Sequence, residues 1–256
     1  MFKQKRIIFT VILVIIILLF ISCESNNKQS KYFATTKWVS AIAEIAGIED
    51  IKTFAPSNML HPPEYELKPD DILALSKAEV VFFAGYEKKM VEKIKASMDK
   101  DGFKMIQVTT ENSIENIKKE AGRIAKIFNT EDKYKRNFAE IEKIYKEIKN
   151  LIKKNNIEKK KAYVHVFQMP LAKSLDLNII GTFGPANVGA DKIKEASDMG
   201  VELVIDNYHN EVGKPFTEIN NNIIIISLIN FPGLFGTENL KDVLLYNKKQ
   251  IEEKIK

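Results

Sequence analysis

Three histidines, His61, His165 and His209, are all the imidazoles this 256-residue chain has. Imidazole is the commonest side-chain ligand for zinc and related first-row ions. Three of them with one carboxylate would make a tetrahedral or slightly expanded metal shell. Each lies at or beyond a run that reads as a strand. His61 comes a few residues after IKTFA, in NMLHPPEYELKPDDI, where Pro62 and Pro63 fix φ and remove two backbone donors, so the segment is stiff and non-helical. His165 is late in KAYVHVF, and His209 stands in IDNYHNEVGKP just past VELVI. Taken singly, each has a plainer reading: an incidental loop histidine at 61 and 209, a satisfied core histidine at 165. Their common position at strand ends argues for one shared site. Four residues could add the further donor: Glu87 just after EVVFF, Asp206 and Asn230 at the ends of their own strands, and Glu64 from the loop of His61.

The elements that would position these groups alternate. YFATT is strand-like, and TKWVSAIAEIAG places Trp38, Ala41, Ile42 and Ile45 at helical spacing before Gly47 stops it. The strand IKTFA, a short helix KPDDILALSKA with Pro69 in its first turn, the buried strand EVVFFAG, the helix YEKKMVEKIKASM and the strand FKMIQVT follow. From Ser113 to Asn155 the pattern is helical throughout, with Lys and Glu on the outer face and an interruption at Asn129 and Thr130 that fits a second N-cap. The apolar positions keep no strict heptad, which argues against a dimerising coiled coil, and a monomer is expected. A second block then repeats the first: strand KAYVHVF, helix QMPLAKSL, strand NIIGTF, helix Asp191 to Met199, strands VELVIDN and NNIIIISL, and a final helix TENLKDVLLYNKKQIEEKIK. The expected fold class is α/β, with two lobes, each a mainly parallel sheet flanked by helices, joined by a long rigid spine helix. The boundaries expected are 31–110 for the first lobe, 111–158 for the spine and 159–256 for the second lobe. Ligands of such sheets sit beyond the carboxyl ends of the strands, here in the crevice between lobes.

The N-terminus carries Lys3, Lys5 and Arg6 and then an apolar run from Ile7 to Ile21. That run has the length of a secretory core and is short of the roughly 20 residues that span a bilayer. Cys23, the single cysteine, follows directly after Ser22 in a setting that resembles the bacterial lipobox, so residues 1–22 read as a lipoprotein signal, Cys23 as the lipidated residue and 23–30 as a polar tether. The chain is expected outside the cytoplasm, lipid-anchored to a bacterial cell membrane. With its one thiol used this way, the fold depends on its core and not on disulfides. Beyond residue 22, 36 Lys and Arg face 34 Asp and Glu. Positive charges interleaved with negative ones exclude a nucleic-acid surface.

YFATTKWVSAIAEIAG, HPPEYELKPDDILALSKAEVVFFAGYE, the long helix, LNIIGTFGP and the closing INFPG and LLYNKKQIEEK, in that order, resemble the metal-binding lipoproteins that serve zinc and manganese ABC importers. The P-x-Y-E-x-x-P-x-D-I pattern from Pro63 to Ile72 is the most specific part. The resemblance implies a rigid two-lobed protein that captures a divalent transition metal, zinc or manganese and also iron, as transported ligand, with an ABC permease and its ATPase as partners. There are departures. Relatives with D-P-H-x-Y-E have histidine where this chain has Pro63, and His61 stands where they have Asp. Their second histidine, in a loop before the spine, has no counterpart in VTTENSIEN. The ligand set the resemblance then implies is His165, His61 by displacement and His209, with Glu87 completing the shell. Two alternatives follow from the departures and the ligand types: a binding protein of the same fold for a chelated metal or organic solute, and a metal-dependent hydrolase, for which the chain has no H-E-x-x-H or comparable signature.

Overall fold

The computed structural model describes residues 30–98, 101–220 and 222–255. The apolar leader, Cys23 and the tether as far as Gln29 lie outside the described residues. Ser30, grouped by composition with the tether, is already part of the fold: it is buried, and its hydroxyl donates to the carbonyls of Tyr32 and Asp50.

The first lobe runs β1 (Tyr32–Ala34), α1 (Lys37–Ile45), β2 (Ile51–Thr53), α2 (Pro69–Leu75), β3 (Val80–Phe83), α3 (Lys88–Ser97) and β4 (Lys104–Gln107). Its strands lie in the order β2-β1-β3-β4 and every pairing is parallel. The second lobe has β5 (Ala162–His165), α6 (Met169–Ser174), β6 (Ile179–Phe183), α7 (Ala190–Met199), β7 (Leu203–Asn207), β8 (Ile224–Leu228) and α8 (Leu240–Lys254). Its order, β6-β5-β7-β8, is the same permutation, again wholly parallel. In each sheet the order reverses between the first and third strands, so the loops leaving β1 and β3, and those leaving β5 and β7, diverge and open a crevice at the strand ends. Both crevices contribute to one cleft. Among the described residues no helix is long and apolar enough to cross a membrane.

Local signals start and stop these elements. The Thr36 side chain accepts the Val39 N–H at the head of α1, and the Asp71 carboxylate accepts the Lys68 N–H at the head of α2. Asn239 and Asp242 form a reciprocal cap on α8.

The spine is two helices where the sequence reads as one interrupted run. α4 (Ile114–Phe128) ends on Asn129 at φ 54°, and α5 (Glu131–Lys154) follows. The chain turns back there, so that the Tyr134 hydroxyl donates to the Lys118 carbonyl at 3.1 Å. Thr130 sits at the N-cap position, but its hydroxyl donates to the Ala46 carbonyl (2.6 Å), tying α5 to the end of α1 rather than capping its own helix. α5, 24 residues and about 36 Å long, runs along both lobes. Near its start Asn137 donates to the Glu44 carbonyl of α1, and near its end Ile152 packs with Leu171 and Ile226 of the second lobe. One apolar core therefore continues from Ala34 and Ile42 through Ile141 and Ile148 to Val164, Leu228 and Ile251. Two smaller clusters fill the outer faces of the sheets, around Phe33 and Val81 in the first lobe and Tyr163 and Phe216 in the second.

Candidate binding cleft

Two of the three histidines face the cleft, one from each lobe. His61 caps the turn Pro62–Glu64, where its carbonyl accepts the Glu64 N–H at 3.1 Å, and the side chain stays exposed. Close backbone packing holds the loop before it: a Cβ on Gly233, at φ 124°, would lie 1.7 Å from the Ser57 carbonyl oxygen, so only glycine lets the second lobe approach the His61 loop this closely. His209 lies in the turn Tyr208–Asn210 directly after β7 and is buried. Its Nδ1 accepts the Asn230 N–H at 3.4 Å, and its Nε2 is buried with no hydrogen-bond partner in the protein. Burial first, and the neighbouring His61 second, push the His209 imidazole down to about 4, so at neutral pH the ring is uncharged.

The walls are aromatic and apolar. Phe231, just past β8, stacks on His209 (centroids 3.7 Å, 21°) and on Trp38 of α1 (5.5 Å, 27°). These three rings form a continuous stack from one lobe to the other. Leu60, Pro62, Pro63, Tyr86, Phe167 and Pro185 line the remainder of a cavity of about 480 Å³, with Thr36, Asn207, Asn210 and Asn230 as its polar groups. Among the described residues lining it there is no Asp or Glu.

The four-donor shell expected from the sequence is not assembled. Among the described residues no three His, Cys, Asp or Glu side chains are placed together to hold a metal ion. His165 ends β5 with no exposed surface and both ring nitrogens engaged: Nδ1 accepts the Phe167 N–H at 3.1 Å, so Nε2 carries the proton and donates to Asn210 Oδ1 at 3.0 Å. Gly184 closes over it, since a Cβ there would lie 2.4 Å from Nε2. Burial lowers its pKa below the ordinary imidazole value. It is a satisfied core histidine that positions Asn210.

Glu87, expected as the fourth ligand, is likewise a structural group. Its fully buried carboxylate accepts the Thr35 hydroxyl and the backbone N–H groups of Ala84 (3.2 Å) and Gly85 (2.7 Å), which latches the ends of β1 and β3 together. Asp206 spends its oxygens on the N–H groups of Asn207 (2.8 Å) and Gly213 (2.6 Å), and Glu64 opens onto a separate surface groove. Asn230 does line the cleft, but as a bridge: Oδ1 accepts from Asn112 Nδ2 at 2.7 Å, and Asn112 in turn accepts the Tyr145 hydroxyl from α5. The aromatic stack is what sequence reasoning missed. Trp38 reads as one more apolar residue on the buried face of α1, and Phe231 enters the sequence reading only within INFPG, as part of a family resemblance. The one available signal was the missing histidines at Pro63 and before the spine.

Neither a protein-family model nor a curated protein sequence matches the chain. Solved structures do. The metal-dependent lipoprotein YcdH from Bacillus subtilis superposes with a TM-score of 0.64 at 16% identity, over 87% of this chain and 98% of that one. A structure of ZnuA gives 0.62 at 18% identity, over 89% and 100%. The Mn-bound periplasmic metal binding protein from Candidatus Liberibacter asiaticus gives 0.59 at 16%, over 88% and 99%. At these identities the likeness is one of fold, and it extends over both lobes and the helix between them.

Proposed function

We propose that this chain is the extracytoplasmic solute-binding protein of an ABC importer, and that it captures cargo bearing a divalent transition ion between its lobes and passes it to a membrane permease without chemistry of its own. The observation that carries this reading is the meeting of His61 and His209, from opposite lobes, in one cleft at the strand ends. The fold shared with YcdH, ZnuA and the Mn-bound protein supports it. Of the metals considered, an imidazole donor in a cleft whose described lining has no carboxylate suits zinc, and iron after it, better than manganese, which prefers oxygen ligands. The partners are the permease and its ATPase, the working state is a monomer, and Cys23 carries the lipid that holds the chain at the membrane.

Calorimetric titration of the purified protein with zinc, iron(II) and manganese, each as salt and as small-molecule complex, tests this. One-to-one binding of a metal-bearing species that is lost in His61→Ala/His209→Ala is expected. Failure of every metal-bearing species to bind would overturn it.

A further inference from the structure

The reading of the cleft as a transition-metal site can be taken further, because the cavity is poorly matched to a bare ion. A dication taken out of water costs several kcal/mol unless charge and hydrogen bonds replace its hydration shell, and the lining supplies no anionic group among the described residues. About 480 Å³ walled by Trp38, Phe231, Phe167, Tyr86, Pro185 and Leu60 is the size and character of a small-molecule site.

The polar groups point the same way. With His209 Nδ1 occupied as an acceptor of the Asn230 N–H, the neutral ring carries its proton on Nε2, the buried atom without a partner. A metal bond at Nε2 would require the proton to move to Nδ1, facing another N–H. Asn207 and Asn210 are committed through their oxygens: Asn207 Oδ1 accepts from Gln168 Nε2 at 3.2 Å and Asn210 Oδ1 from His165 Nε2 at 3.0 Å. What each has left to offer is its amide N–H. Three N–H donors on the second lobe, with flat aromatic walls beside them, are complementary to anionic oxygens on an organic skeleton.

We propose that the ion enters as a complex with a small anionic organic chelator, whose oxygens accept from His209 Nε2, Asn207 and Asn210 while its skeleton lies against Trp38 and Phe231. His61, on the opposite lobe and exposed, is the imidazole that completes the coordination of the ion. This rests on the metal-cargo reading above and adds the substrate class.

The test uses Trp38, the only tryptophan of the chain, as a fluorescent reporter inside the cleft. Zinc alone, zinc with citrate, zinc with picolinate, zinc with L-histidine, and each chelator without metal are titrated into the wild-type protein and into Asn210→Asp. That substitution keeps the acceptor His165 needs and replaces a donor with a negative charge. At least one complex is expected to bind about tenfold or more tighter than zinc alone, the worth of one hydrogen bond to a charged group. Asn210→Asp is expected to weaken that complex by about as much while strengthening any binding of zinc alone.

Zinc alone binding one-to-one as tightly as every complex, or Asn210→Asp improving the complex, would overturn the proposal and leave the metal-cargo reading standing. A metal-free chelator binding as tightly as its zinc complex would overturn both. Silence from every metal-bearing probe would do the same.

Discussion

The imidazole of His209 lies flat on the ring of Phe231, their centroids 3.7 Å apart, and Trp38 of the other lobe stacks on the same phenyl ring at 5.5 Å. The contact sets the orientation of His209 and so the direction in which its Nε2 faces. Phe231 is itself buried. Phe231→Ala should cost about 3 kcal/mol of stability, in the range for truncating a buried phenylalanine, and expose Trp38 to water. A red-shifted Trp38 emission together with a lowered urea midpoint is the expected result. An unmoved emission maximum would mean the stack does not exist in solution.

Glu87 distinguishes a structural group from a ligand. Glu87→Gln replaces an acceptor of three hydrogen bonds with a group that must turn an N–H toward N–H donors. A loss of about 1–3 kcal/mol in stability follows, with cargo affinity in the folded protein unchanged to within about twofold. A stable variant that no longer binds cargo would restore Glu87 to the metal shell.

Gly233 should be intolerant of any side chain. A Cβ would meet the Ser57 carbonyl at 1.7 Å, and φ of 124° is already unfavourable for other residues. Gly233→Ala is expected to push away the loop that carries His61. Cargo affinity should then fall by about tenfold or more, while the far-UV circular dichroism stays native. Retained affinity would show that the loop can shift without carrying His61 along.

Acid should destabilise the protein through its buried histidines. His209 has a folded pKa of about 4 against an ordinary 6.5, and that of His165 is lowered as well. Between those values the unfolded chain binds protons that the folded one does not, so stability is complete above pH 6.5 and is lost as pH falls toward 4. For His209 the loss is on the order of 3 kcal/mol. Urea midpoints at pH 7.5 and 4.5 should differ less in His209→Phe, which keeps the stacked ring without the titrating nitrogen. Equal differences in the two proteins would contradict the assignment.

Much of the fold was legible because both sheets are parallel and covered: each strand is a short apolar run, each crossover an amphipathic helix, and the break at Asn129 shows in the residue types. The site was legible only by position. His165 ends β5 and His209 directly follows β7, while His61 lies well beyond β2 in its loop; yet every residue of β5 is buried, so no alternation along AYVH tells whether His165 faces the cleft or the core. The outcome depended on Gly184 and Asn210, distant in sequence and packed against the ring. Glu87 was misread for a similar reason. A carboxylate just after a strand can reach outward to a ligand or fold back on the backbone, and the free N–H groups of Ala84 and Gly85 decide in favour of the latter. Trp38 shows the limit of helical periodicity, which marks a face as apolar without saying whether protein or cargo covers it.

The core that runs without a break from β1 to α8, with α5 threaded through it, has a consequence for unloading. Two halves cast in one piece cannot be spread apart without tearing their shared interior, so wide hinge opening between them is disfavoured and small shifts of the loops at the cleft mouth are what such a build allows.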